Sequence, residues 1–160
     1  MSRPGRASRP LAACAVLVAT AAPLAGCGSD GGGSSAGRPE LKVTGAYMPA
    51  PSMATMAAGF FTVSNSGGAD TLTSVTSSLS DDVTLHSTQG GAMKEEKSFA
   101  VPAKGTLNFA SGGNHLMFEK LTRKPEQGEK VAVELHFAKS GTVKISMPVK
   151  SATYTPKTGH

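Results

Sequence analysis

Tryptophan is missing from this chain of 160 residues, tyrosine occurs only twice, and aromatic residues make up 5% of the total. A domain so poor in flat side chains lacks the stacking platforms on which nucleic-acid binders rest their bases. Thiols are scarce as well, with Cys14 and Cys27 alone. Signatures of catalysis are absent too: there is no Gly-x-Ser-x-Gly elbow, no Gly-rich phosphate loop, no His-Glu-x-x-His and no Cys-x-x-Cys. The adjacent carboxylates Asp81 and Asp82, and Glu95 and Glu96, diverge on a strand or turn and read as solvated. The chain is therefore read as a non-enzyme.

What is present begins with an address. Arg3, Arg6 and Arg9 form a basic opening, and residues 11–24 form an apolar, Ala-rich run too short for a confident membrane span. The run ends in Leu24-Ala25-Gly26-Cys27, which resembles the lipobox of bacterial lipoproteins. The resemblance implies that residues 1–26 are a signal peptide, that Cys27 is lipidated, and that the mature protein is extracytoplasmic and held to the cell membrane. Removal of three arginines and no acid lowers the formal charge from +5 to +2, so the basic pI of the whole chain gives no argument for nucleic acid. Cys27 then remains as the sole thiol, which excludes an internal disulfide and a thiolate metal site.

Residues 27–39 are dominated by Gly and Ser and read as a flexible tether. Residues 40–155 have the length of one domain with one core, and 156–160 read as a loose tail. Apolar residues recur at spacing two, and Gly, Pro, Ser and Asn interrupt every eight to twelve positions, so the class is all-β, a sandwich or barrel without helices. Strands are expected at 41–47, 58–65, 71–77, 83–87, 97–101, 106–109, 115–121, 131–137 and 142–149. Two hairpins are expected, one joining 97–101 to 106–109 and one joining 131–137 to 142–149. In the second, Val131, Val133, Leu135 and Phe137 share one face, which leaves His136 solvated on the other, and Met147 reads as core packing.

The unusual residues are His and Met. On a strand starting at His115, Leu116 and Phe118 point one way while His115 and Met117 share the other face, their Cα atoms roughly 6.6 Å apart. An imidazole beside a thioether suits Cu(I) and is a poor match for Mg²⁺ or Ca²⁺. Taken alone, the pair also reads as a surface histidine next to a core methionine. Four further methionines, Met48, Met53, Met56 and Met93, fall in expected loops or near turns, and His86 and Met93 flank one such loop. Met53 and Met56 read either as adaptable apolar filler over the open end of the sandwich or as a soft rim for a metal.

The segments Ala58-Gly59-Phe60-Phe61-Thr62-Val63-Ser64-Asn65, Leu85-His86, Gly91-Ala92-Met93, Val101-Pro102-Ala103-Lys104-Gly105, Gly112-Gly113-Asn114-His115-Leu116-Met117 and Met147-Pro148-Val149 resemble the periplasmic copper chaperone family PCu(A)C. The resemblance spans about Lys42 to Lys150 and implies a cupredoxin-like Greek-key β-sandwich or barrel. The family's copper motif runs His, ten residues, Met, twenty-one residues, His, one residue, Met. Met93, His115 and Met117 keep the second and third spacings, but only six residues separate His86 from Met93. Either the loop is shorter and Met93 is the ligand, or Glu95 stands where the family has a second Met, which would alter a Cu(I) site.

The resemblance thus implies one Cu(I) per chain on His86, Met93, His115 and Met117. It also implies delivery to a copper acceptor such as a cytochrome c oxidase subunit or another copper chaperone. A copper resistance or buffering protein, and a metal-free structural lipoprotein module, are the rival readings.

Overall fold

The computed structural model describes residues 37–157. The expected signal peptide, Cys27, most of the expected tether and His160 lie outside the described residues. Among those described there are ten strands and no helix. They are β1 (Leu41–Pro49), β2 (Met56–Asn65), β3 (Asp70–Ser77), β4 (Asp82–Gln89), β5 (Ala92–Glu96), β6 (Phe99–Val101), β7 (Thr106–Phe109), β8 (His115–Glu119), β9 (Lys130–Phe137) and β10 (Gly141–Lys150). Hydrogen bonding runs in the order β5-β4-β8-β2-β1-β10-β9-β3-β6, with β7 also on β2. The strands form a nearly closed, barrel-like sheet of the expected all-β class. Only the β1–β10 pairing is parallel among the pairings described.

Alternation explains where each strand puts its apolar side. Val131, Val133, Leu135 and Phe137 of β9 are buried, and their intervening residues are not. With Leu72, Leu85, Leu116, Phe118, Met147 and others they make one continuous core. Phe61 stacks on Phe109 with centroids 4.4 Å apart. The β9–β10 hairpin has the expected partners, Val143 opposite Leu135 and Ile145 opposite Val133.

β2 carries the site's framework. Its first part, Met56 to Gly59, pairs with β8 (Ala58 opposite Met117), and its remainder pairs with β1 on one side and β7 on the other (Val63 opposite Val43 and Leu107). Its end is locked by Asn65, whose side-chain oxygen accepts from the backbone N–H groups of Glu40 and Gly67 while its amide donates to the Gly68 and Pro102 carbonyls.

Four expectations are corrected by the structure. The hairpin between 97–101 and 106–109 does not form, because β6 pairs with β3 and β7 with β2. Residues 92–96 are a strand, made so by the tight turn before them. Met48 is not a loop residue but lies at the end of β1 and is fully buried. The register of β1 shifts between Thr44 and Tyr47, where Gly45 takes φ 62° in a bulge. Beyond it both Tyr47 and Met48 are covered. His136 is half-buried rather than freely solvated, its ring held between the hydroxyls of Thr76 and Thr142.

Candidate metal centre

His86 on β4 and His115 on β8 are direct cross-strand partners. Their rings stack with centroids 5.4 Å apart and planes inclined by 29°. Two pairs further along, Thr84 of β4 faces Met117 of β8. Residues two apart on a strand share a face, so His86, Thr84, His115 and Met117 all project to one side. Leu85, Leu116 and Phe118 project to the other side and are buried in the core. The face division read from the sequence for residues 115–118 is the one observed.

Both imidazoles are oriented by the chain around them. His115 is 7% exposed, and its Nδ1 lies 3.1 Å from the Gly113 carbonyl oxygen. A carbonyl only accepts, so Nδ1 carries the proton and Nε2 keeps its lone pair. The backbone makes this contact by turning through Gly112, whose φ is 81°, a conformation that favours glycine. His86 Nε2 lies 2.9 Å from the Thr84 hydroxyl, while its Nδ1 is buried and has no hydrogen-bond partner. A buried nitrogen without a partner costs free energy unless something else satisfies it, and a bound metal ion would do so. In the tautomer whose Nε2–H donates to the Thr84 hydroxyl, Nδ1 is the lone pair His86 can offer.

Met93 stands differently. Gly90 and Gly91 have φ of 57° and 81°, the two positive values of a two-residue hairpin turn, and they fix Gln89 opposite Ala92. Met93 therefore faces Thr88, and the residue facing His86 is Glu95. With six residues between them, His86 and Met93 are diagonal neighbours on one face, and the long unbranched Met93 side chain is 63% exposed. The structure thus pairs His86 directly with His115 and sets Met117 on the same face two residues along β8. It sets Met93 on the same face at the rim, with Glu95 beside it.

Among the described residues, no three His, Cys, Asp or Glu side chains gather closely enough to hold a metal ion. A site here must draw on thioether sulfur to go beyond two imidazoles, which is the donor set of a soft cation. Met56 and Met53 continue the sulfur-bearing surface, since with Met117 they line an open groove of about 320 Å³. Two features escaped sequence reasoning, Thr84 as the partner of His86 and Glu95 as its cross-strand neighbour. A Thr-x-His spacing on a strand puts both side chains on one face and was the available signal for the first.

A family model described as "Putative lipoprotein LpqE-like" matches residues 41–149. "Putative lipoprotein Lxx21020" of Leifsonia xyli subsp. xyli is 35% identical over 146 residues, covering 88% of this chain and 82% of that one. Among solved structures, the copper-bound PCuAC domain from PmoF2 superposes with a TM-score of 0.62 at 25% identity, over 69% of this chain and 92% of that domain. The solution structure of CuI-DR1885 from Deinococcus radiodurans gives 0.59 at 27% identity, over 68% and 77%. The fold is that of a PCuAC domain.

Proposed function

The chain belongs to the LpqE-like lipoprotein family, and we propose that it is an extracytoplasmic copper carrier binding one Cu(I) through His86, Met93, His115 and Met117. The observation that carries this reading is the cross-strand couple of His86 and His115, with Met117 two residues along on the same face. Copper in two neighbours supports it: the PmoF2 domain was solved copper-bound and DR1885 with Cu(I).

The ligands suit a carrier. Two neutral imidazoles and two thioethers add no charge, so the ion keeps its positive charge and stays exchangeable with a partner's soft ligands. His115 Nε2 and His86 Nδ1 supply fixed lone pairs, oriented by Gly113 and Thr84. Met93, long and exposed, closes the coordination from the rim and is the ligand that leaves first. Cys27, reached after a signal peptide of residues 1–26, anchors the domain of residues 40–155 by lipid through a tether of residues 27–39, and residues 156–160 form the tail. The anchor confines the carrier to the membrane plane, where a copper acceptor such as a cytochrome c oxidase subunit or another copper chaperone would receive the ion.

Deletion of the gene tests delivery against the alternatives. Delivery is supported by loss of oxidase activity that added copper restores. Copper sensitivity with normal oxidase activity would replace delivery by buffering, and no copper phenotype of either kind would leave a structural module.

A further inference from the structure

Met53 and Met56 are left over by the His86/His115 centre, yet they are not buried as packing residues would be. Met48 and Met147 are fully covered in the core, whereas Met53 is 54% exposed and Met56 is half-buried. The register accounts for their company. Ala58 faces Met117, so Met56, two residues earlier on β2, lies on the same face and diagonal to Met117. The small Ala58 leaves the Met117 thioether uncovered on that side.

The connection carrying Met53 is held at both ends. Ala50 N–H donates to the Lys150 carbonyl at 2.8 Å, and Leu121 N–H to the Thr55 carbonyl at 3.3 Å. Pro51 restricts the backbone between these anchors. Among the described residues no charged side chain lines the groove, and apart from the Ser52 hydroxyl its only side-chain donors are the sulfurs of Met53, Met56 and Met117. Mg²⁺ and Ca²⁺ require oxygen ligands that are not there, and Zn²⁺ and Cu(II) favour nitrogen, thiolate or carboxylate.

We propose that Met53, Met56 and Met117 form a second, all-thioether station for a soft monovalent cation, joined to the imidazole centre by the shared Met117. Its use for Cu(I) rests on the copper-carrier reading, and the binding claim itself does not. The ion passes by ligand exchange: Met117 stays bonded while the sulfurs of Met53 and Met56 give way to the nitrogens of His86 and His115, with no change of oxidation state. Three neutral thioethers hold the ion loosely, which suits a point of entry and exit.

Silver(I) is the probe, titrated against protein labelled with ¹³C at the methionine methyls. The decisive sample is the His86→Ala/His115→Ala variant, whose outcome is independent of whether the imidazoles carry copper. The methyls of Met53, Met56 and Met117 are expected to shift together while those of Met48 and Met147 stay still and report an intact core. Unmoved Met53 and Met56 methyls would overturn the station, as would equal movement of all methionines. In the second arm, Cu(I)-loaded Met53→Leu/Met56→Leu protein, which conserves side-chain volume, is mixed with a Cu(I) chelator. It is expected to surrender copper several-fold more slowly than wild type, and equal rates would overturn the relay.

Discussion

His86 and His115 stand directly opposite each other on neighbouring strands, their rings stacked 5.4 Å apart, and each has one ring nitrogen engaged by its own strand or turn. The free nitrogens are thereby fixed before any ion arrives. Groups that hold a ligand's other nitrogen typically matter to affinity by about 10–100-fold.

Thr84 is the first such group to test. Replacing it by valine keeps the shape and the strand preference but removes the hydroxyl partner of His86 Nε2. Thr84→Val is expected to weaken Cu(I) binding by about ten-fold with little change in thermal midpoint. Competition with a Cu(I) chelator and circular dichroism on the same samples check this.

Met93 and Glu95 lie on the face that His86 shares, and their chemistry separates them as candidate ligands. Met93→Leu is expected to weaken Cu(I) while leaving Cu(II) nearly unchanged, and Glu95→Gln to do the reverse, since carboxylate is a poor partner for a soft ion. Parallel titrations with the two ions, the first under reducing conditions, measure the order of effects.

Asp70 tests the fold independently of metal. It is 3% exposed, and its carboxylate accepts from the backbone N–H groups of Thr71, Lys139 and Ser140 and from the Ser140 hydroxyl. Burial pushes its pKa up, but the hydrogen bonds outweigh burial and hold it below the usual aspartate value. A depressed carboxyl stabilises the folded state above its unfolded pKa of about 3.9, and that contribution is lost as pH falls through the folded value. Asp70→Asn is therefore expected to cost about 2 kcal/mol near neutral pH. The difference from wild type should shrink as pH falls through the folded value, below the unfolded pKa of about 3.9, as urea unfolding at neutral and acid pH would show.

How much of this was legible in the sequence depends on how local the cause was. The β9–β10 hairpin and the faces of residues 115–118 follow from alternation alone, and both stand as read. The expected 97–101 to 106–109 hairpin failed because β3 and β2, distant in sequence, pair with those segments instead. Ala92 to Glu96 has almost no apolar pattern, since it is an exposed edge strand whose form comes from Gly90 and Gly91. Met48 was misjudged because the Gly45 bulge breaks the alternation just before it. At the centre, spacing to His115 singled out Met93, but only the register shows that Glu95, not Met93, faces His86.

The central claim is tested most directly by Cu(I) competition against a chelator, comparing wild type with the His115→Ala/Met117→Ala variant. Wild type is expected to retain one Cu(I), and the variant to lose affinity by about 100-fold, roughly 2.7 kcal/mol. Equal retention by both proteins would contradict the site.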